Sequence, residues 1–153
     1  MKLIKIVKEN IDLAESVMEL ITNEWGATFS SSKEEKLARL KESIFAGNKF
    51  PQVYLLQEKG INIGSFMFVD CDLKGSELSP WLACVVIDKN YRGKGYGKVM
   101  LEYIKNIIED NFDEIYLTTD MIGFYEKIGF TLIGTIDNNG KNNRLYRKKT
   151  CKK

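Results

Sequence analysis

Hydrophobic residues along the chain follow two periods, one typical of helices and one typical of strands. Apolar positions three or four residues apart predict helices over about residues 11–22, 32–45, 99–108 and 121–128. Short apolar or alternating runs predict strands over residues 3–7, 52–57, 62–70, 82–87, 114–119, 130–136 and 144–148. This order predicts a mixed α/β (α+β) domain, with a mostly antiparallel sheet of about six to seven strands flanked by helices.

Several residues mark where these elements begin and end. Asn10 is predicted to cap the first helix, and Ser32 followed by Glu35 is a capping-box signature for the second. Lys59-Gly60 separates two strand-like runs and predicts an antiparallel hairpin. Gly129 is predicted to end the short fourth helix, since glycine adopts the left-handed conformation that often follows a helix.

A glycine-rich turn lies between the apolar run 82–87 and the amphipathic segment 99–108. Its sequence is Arg92-Gly93-Lys94-Gly95-Tyr96-Gly97. A glycine turn that enters a helix leaves backbone N–H groups directed at one point, where the helix dipole adds positive potential. The turn therefore predicts a phosphate-bearing ligand. The alternative is a structural turn, because glycine is common in turns.

Two familiar phosphate motifs do not fit this turn. A Walker A loop requires Gly-Lys followed by Ser or Thr, but Gly97-Lys98 is followed by Val99 and residue 92 is not glycine. The dinucleotide fingerprint Gly-x-Gly-x-x-Gly is one residue longer than the spacing here. Nucleoside triphosphate and nicotinamide or flavin sites are therefore disfavoured.

Two segments resemble those of a known family. Residues 86–97 resemble the acetyl-CoA loop of GNAT-type N-acetyltransferases, with Arg92, Gly95 and Gly97 in register. Downstream, residues 123–130 resemble the family's Phe-Tyr-Glu-Lys-x-Gly-Phe segment. The resemblance is clearest over about residues 78–136. It implies the GNAT fold, acetyl-CoA as co-substrate, no metal, and N-acetyltransferase activity.

The resemblance also implies roles for individual residues. The turn and the following Lys98 would hold the pyrophosphate, and backbone groups of the preceding strand would pair with pantetheine. The strand residues are Val85, Val86 and Ile87. Tyr125 would help the CoA thiolate leave, unless it is only a packing tyrosine. Thr118 stands where many members carry an asparagine that contacts the CoA arm, so that contact is in doubt.

Acid–base catalysis must use groups other than histidine, because the chain contains no histidine. This excludes Ser-His-Asp and Cys-His mechanisms, histidine bases and His-based zinc hydrolases. Glu77 is one candidate for accepting the amine proton, and water relayed by strand backbone is another. Glu24 and Trp25 lie between the first two helices, where this family receives its acceptor. An aromatic ring and a carboxylate suit a cationic amine, although Trp25 could simply pack at a helix end.

Length and composition restrict the remaining possibilities. At 153 residues, the chain is expected to form a single domain over 1–153. A net charge of +2 gives no argument for nucleic acid, and we expect no signal peptide, membrane span or membrane partner. Three cysteines at non-metal spacing favour reduced thiols in the cytoplasm, with Cys84 as a small core residue. A basic terminus is expected to be solvated: Lys148, Lys149, Lys152 and Lys153.

The sequence thus predicts an acetyl-CoA-dependent N-acetyltransferase that modifies the primary amine of a small molecule. Two alternatives stay open: acetylation of a protein N-terminus or lysine, and a noncatalytic CoA-binding module. The sheet edge that the family's fold exposes leaves a homodimer as one option.

Overall fold

The computed structural model describes residues 1–73, 75–138 and 141–150. It divides into two compact units, Met1–Val69 with Ala83–Gly97, and Asp70–Leu82 with Lys98–Lys153. The strands are β1 (Lys2–Lys5), β2 (Gln52–Glu58), β3 (Ile61–Val69), β4 (Trp81–Ile87), β5 (Glu114–Thr119), β6 (Thr131–Asn138) and β7 (Lys141–Lys149). The α-helices are α1 (Ala14–Trp25), α2 (Lys33–Phe45) and α3 (Tyr96–Asn111). Short 3-10 helices span Lys8–Leu13, Gly26–Thr28, Lys89–Tyr91 and Tyr125–Ile128.

The first unit has the strand order β1-β2-β3-β4, with β1–β2 and β2–β3 paired antiparallel. Ile4 lies opposite Leu55 between β1 and β2, and Val53 lies opposite Met67 between β2 and β3. The Asp88 N–H donates to the Ile63 carbonyl at 2.7 Å, which ties the end of β4 to β3. Because β2 and β3 pair antiparallel on either side of Lys59-Gly60, the hairpin predicted there is confirmed.

Helices α1 and α2 contribute to the core of this unit. Val17 and Ile21 on α1 are buried with Leu55 on β2, as their helical spacing predicts. Ser32 caps α2, because its hydroxyl accepts a hydrogen bond from the Glu35 N–H at 3.1 Å. The predicted second helix is thus confirmed almost to the residue.

The second unit is built around β5 and β7. Strand β5 pairs in parallel with the start of β4 at Trp81 and Tyr116, and antiparallel with β7. Strand β7 also pairs antiparallel with β6. Tyr146 on β7 is fully buried, with Leu117 opposite it on β5 and Leu132 opposite it on β6.

Three predicted helix starts differ from the structure, and one of them is α3, which was expected from about residue 99 but begins at Tyr96. Helix α1 begins at Ala14, and Asn10 does not cap it. Instead the Asn10 side chain accepts a hydrogen bond from the Val7 N–H at 2.7 Å and closes the preceding 3-10 segment. The helix predicted over residues 121–128 is reduced to the 3-10 turn Tyr125–Ile128, which ends at Gly129 (φ 96°) as expected.

The basic terminus is not uniformly solvated. Lys148 lies in β7 with its side chain only 8% exposed, and its ammonium group is 3.6 Å from a Glu109 carboxylate oxygen. A strand alternates its side chains between two faces, so Lys148 is buried while the neighbouring Lys149 is exposed. Lys152 and Lys153 lie outside the described residues.

Strand β4 is irregular at Cys84, which has a left-handed backbone with φ 53°. Cysteine rarely adopts this conformation, and the apolar run gave no sign of it. Cys84 is partly buried against the core of the first unit, rather than fully buried. None of the helices in the described ranges combines the length and apolar character needed to cross a membrane.

Candidate active site

The chain leaves β4 through a tightly fixed turn. Asp88 accepts a hydrogen bond from the Asn90 N–H at 2.9 Å through its side chain. Its carbonyl accepts another from the Tyr91 N–H at 2.8 Å. Since Asp88 is itself held to β3, the glycine-rich turn starts from a rigid strand end.

The turn then presents backbone rather than side chains. Gly93 and Gly95 have φ of 78° and 87°, which glycine tolerates best. Apart from the chain neighbours, none of the described residues lies within 4 Å of a Cβ built at either glycine. In the described part of the chain, the N–H groups of Gly93, Lys94 and Gly95 donate no hydrogen bond to another protein group. These open donors at the start of α3 have the character of an anion-binding nest.

The side chains of the turn contact the protein. Arg92 donates from Nη2 to the Glu24 carboxylate on α1 at 2.5 Å, and from Nε to the Ile87 carbonyl at 2.9 Å. The Lys94 ammonium lies 5.4 Å from the centroid of the Tyr91 ring. A hydrogen bond with Glu58, together with burial, raises the pKa of Tyr96. An anion would therefore meet the backbone of the turn first, with the exposed Lys98 on the first turn of α3.

A small cleft lies beside the Arg92–Glu24 pair. Its volume is about 80 Å³, and its lining includes Asn23 and Glu24 of α1 and Ile87 of β4. Trp25, the last residue of α1, is half-buried and packs against the core of the first unit. The structure thus brings Glu24 and Arg92 together, whereas Trp25 has the packing contacts of an ordinary helix-end residue.

Three backbone positions before the turn were predicted to contact pantetheine. Val86 is buried against the core, while Val85 and Ile87 are only partly buried. They follow Cys84, whose left-handed backbone interrupts the regular pleat of the strand.

Tyr125 lies in the second unit and is 7% exposed. Its ring makes edge contacts with Phe124 at a centroid distance of 4.9 Å and with Phe130 at 6.0 Å. Burial raises its pKa well above the usual range, so the phenol stays neutral. A neutral hydroxyl can donate a hydrogen bond to a developing thiolate. The raised pKa makes complete proton transfer from the tyrosine less favourable.

The remaining predicted residues of the second unit are more exposed. Glu77 is exposed in the β3–β4 connection, and Thr118 is partly exposed on β5. In the same connection, desolvation raises the pKa of Asp72 to about 6, although the residue as a whole is exposed. Among the described residues, no three carboxylates or cysteines come together as a metal site would require.

Sequence reasoning missed three of these features. The Arg92–Glu24 pair joins residues far apart in the chain, so no local pattern could reveal it. The raised pKa of Asp72 comes from desolvation of its carboxyl group in the folded chain, which a local sequence pattern does not show. The third feature is the Glu126 carboxylate, which accepts hydrogen bonds from the Gly123 N–H and the Tyr146 hydroxyl, each at 3.1 Å. It had a partial signal, because Glu126 is part of the segment that resembles the family's.

These features define a class of protein. An open nest of N–H groups between a strand and a helix, in a mixed and mostly antiparallel fold, is the arrangement that the family resemblance implies for an acyl-CoA-dependent transferase. A sequence model of the acetyltransferase (GNAT) domain matches residues 50–132, over half of the chain. The chain therefore belongs to the GNAT family of acetyltransferases.

Solved structures share this fold across almost the whole chain. The aminoglycoside 6'-acetyltransferase type Ii is 18% identical, with a TM-score of 0.72 and coverage of 97% of this chain and 97% of that chain. An aminoglycoside 6'-N-acetyltransferase complexed with coenzyme A is 15% identical, with a TM-score of 0.72 and coverage of 97% of both chains. A variant of the spermidine N-acetyltransferase from Vibrio cholerae is 13% identical, with a TM-score of 0.69 and coverage of 97% and 95%.

Proposed function

We propose that this acetyltransferase moves the acetyl group of acetyl-CoA to a primary amine of a small molecule. The observation that carries the proposal is the open N–H nest at Gly93–Gly95 in a chain of the GNAT family. Support for a small acceptor comes from similar structures that are named for aminoglycoside and spermidine acetylation. Acetylation of a protein amine and noncatalytic CoA binding are the competing hypotheses.

The backbone of the turn would bind the pyrophosphate of acetyl-CoA. Three N–H groups with no protein partner in the described residues can donate hydrogen bonds to phosphate oxygens without first breaking another hydrogen bond. Lys94 and Lys98 would add positive charge from exposed positions. The backbone of Val85 to Ile87 would pair with pantetheine as a further strand does, and Thr118 would contact the CoA arm.

Acetyl transfer forms a C–N bond and breaks the C–S bond. The amine nitrogen attacks the thioester carbonyl carbon, and the C–S electron pair leaves on sulfur as a thiolate. We assign Tyr125 the hydrogen bond to that sulfur. Its raised pKa keeps the proton on the phenol, which donates a hydrogen bond to sulfur as negative charge develops there in the transition state.

An acceptor that binds as an ammonium ion must first lose a proton to a base, because only the neutral amine nitrogen can attack the thioester. Glu77 and relayed water are both retained as candidates. Asp72 is a third, because a carboxylate with pKa about 6 is a stronger base than one near 4 and is still mostly ionised at neutral pH.

Glu24 and Trp25 would lie near the acceptor. The Glu24 carboxylate already pairs with Arg92, so a cationic amine would share this carboxylate rather than neutralise an isolated charge. Because Arg92 offsets part of the carboxylate charge, this site would attract a polyamine-like or aminoglycoside-like cation less strongly than an unpaired Glu24 would. A single domain over 1–153, a cytoplasmic location and a homodimer remain hypotheses beside this assignment.

One experiment tests the nucleotide side of the proposal. We expect CoA to bind more tightly than ATP or NAD in calorimetric titration. Gly95→Glu should abolish CoA binding, because it places a side chain and a negative charge over the nest. Gly47→Glu is the matched control: Gly47 also has a left-handed backbone (φ 72°) with open space around its Cβ position. Unchanged CoA affinity in a folded Gly95→Glu variant would refute the site.

A second experiment identifies the acceptor. A panel of polyamines, aminoglycosides, amino acids and lysine peptides is incubated with acetyl-CoA, and release of free thiol is measured. Faster release with small amines supports the proposal, and faster release with peptides favours the protein-acetylating alternative. CoA binding with no release on any amine supports the noncatalytic alternative.

A further inference from the structure

The Glu126 carboxylate closes the turn that carries Tyr125. Both of its oxygens accept a hydrogen bond from the Gly123 N–H, each at 3.1 Å. One of them also accepts a hydrogen bond from the Tyr146 hydroxyl at 3.1 Å. The residue directly after Tyr125 is therefore joined both to the entry of its own turn and to strand β7.

This carboxylate stays ionised under ordinary conditions. Desolvation alone would raise the pKa of Glu126, but hydrogen bonds from the Glu126 and Gly123 N–H groups and from the Tyr146 hydroxyl hold the pKa below its usual range. The hydrogen bonds that the Gly123 N–H and the Tyr146 hydroxyl donate to this carboxylate are therefore charge-assisted, and they persist across the neutral and alkaline pH range in which an amine can be acetylated.

The Tyr125 segment has little regular structure of its own. It is a 3-10 turn of four residues between two left-handed glycines, Gly123 (φ 85°) and Gly129 (φ 96°). Backbone hydrogen bonds from Gly129 to Glu126 and from Phe130 to Tyr125 are 3.1 and 3.3 Å long. A single 3-10 turn is weakly held by such bonds, so an external anchor has a large effect on its position.

Tyr146 is a suitable anchor. It is fully buried in β7, between Leu117 on β5 and Leu132 on β6. The Tyr125 ring is held by Phe124 and Phe130, but among the described residues its hydroxyl has no hydrogen-bond partner. The direction of that hydroxyl is therefore set by ring packing and by the backbone on either side of it.

We propose that Glu126 and Tyr146 are positioning residues that hold the Tyr125 hydroxyl in place for the leaving thiolate. This inference rests on the role of Tyr125 in the proposed function. Tyr146 would act only through Glu126, and Glu126 only through the backbone of the Tyr125 turn. A displacement of about 1 Å at a reacting group can cost up to a hundredfold in rate, so a small loosening is measurable.

The test is a double-mutant cycle in single-turnover acetyl transfer. Tyr146→Phe removes one hydroxyl and keeps the ring in the buried strand. We expect it to slow acetyl transfer by about three- to thirtyfold, with little change in the KM for acetyl-CoA. In a Tyr125→Phe background, the same substitution should cause no further slowing, because no hydroxyl is left to position.

Two variants serve as checks on folding and specificity. Glu126→Gln removes the negative charge and replaces one acceptor oxygen by an NH₂ donor, which weakens the hydrogen bonds from Gly123 and Tyr146, so it should reproduce the cycle if Tyr146→Phe folds poorly. Tyr54→Phe removes a hydroxyl from a buried tyrosine of the first unit and should leave the rate unchanged. A merely structural role of Tyr146 would lower the Tm and leave the single-turnover rate as it is.

The outcomes separate this inference from the function it rests on. Wild-type rates in Tyr146→Phe and Glu126→Gln, with a slow Tyr125→Phe, would overturn the positioning role alone. Equal slowing by Tyr146→Phe in both backgrounds would also overturn it. A wild-type rate in Tyr125→Phe would remove Tyr125 from the mechanism, and the positioning role would be refuted with it.

Discussion

The ion pair between Glu24 and Arg92 gives a quantitative prediction about cofactor binding. It joins the last turn of α1 to the first residue of the glycine-rich turn. Arg92 is held a second time through its Nε, which donates to the Ile87 carbonyl. Because both contacts fix the start of the turn, we expect the pair to order the N–H donors that follow it before CoA arrives.

The size of the effect follows from exposure. The two side chains are 47% and 35% exposed, so solvent screens their attraction. Such pairs contribute up to about 1 kcal/mol, which corresponds to at most about fivefold in affinity. Glu24→Gln should therefore weaken CoA binding by at most about fivefold. Arg92→Gln should weaken it more, since it also removes the bond to Ile87 and a positive charge near the phosphates.

The diagnostic result is the double variant. If Glu24 acts only through Arg92, Glu24→Gln with Arg92→Gln should bind CoA as weakly as Arg92→Gln alone. Calorimetric titration at two salt concentrations measures these affinities, and Glu19→Gln on the exposed face of α1 controls for the loss of a negative charge on that helix. Tighter CoA binding by Glu24→Gln would refute the reasoning, because it would mean that Glu24 withholds Arg92 from the phosphates.

Two further predictions concern the chemistry and the pH dependence. Tyr125→Phe should keep the affinity for acetyl-CoA and slow single-turnover transfer by about ten- to a thousandfold, which corresponds to about 1.4 to 4 kcal/mol in the barrier. A wild-type rate would leave Tyr125 as a packing residue. The pKa of Asp72 is about 6 in the folded chain, against an ordinary value of 3.8. The folded chain therefore binds more protons than the unfolded chain between pH 3.8 and about 6, so the free energy of unfolding should fall as pH rises through that window. Asp72→Asn should remove this contribution, so urea unfolding should show the variant gaining stability relative to wild type as pH rises; a pH-independent difference would contradict the assignment.

Much of the fold could be predicted from the sequence because its signals are local. The capping residues of α2 and the two-residue hairpin turn at Lys59-Gly60 need only neighbours in the chain to form. The prediction failed where a competing contact, local or distant, prevailed. Asn10 was expected to cap a helix, but a hydrogen bond from Val7 and another to the Lys5 carbonyl at 3.0 Å hold it in the preceding turn. Lys148 was expected in a solvated tail, but strand pairing places it among buried groups.

The candidate site also contains features that the sequence predicts and features that it does not. The glycines of the turn are readable in sequence, because positive φ at Gly93 and Gly95 restricts those positions to glycine almost alone. The side chains gave less information. Arg92 and Lys94 suggested phosphate ligands by their charge, yet one pairs with Glu24 and the other lies near the Tyr91 ring. Their partners come from other elements, so charge alone could not show what they contact.

The nest and the Tyr125 turn share one feature: in each, some polar groups have protein hydrogen bonds and one kind of donor is left open. In the nest, the Arg92 side chain is hydrogen-bonded to Glu24 and Ile87, while the N–H groups of Gly93, Lys94 and Gly95 have no partner among the described residues. In the Tyr125 turn, the Gly123 N–H is satisfied by Glu126, while the Tyr125 hydroxyl has no partner among the described residues. Each segment thus uses protein hydrogen bonds to fix its geometry and keeps a different donor available. Because those donors are preorganised, binding a phosphate or stabilising a thiolate would not require breaking an existing hydrogen bond.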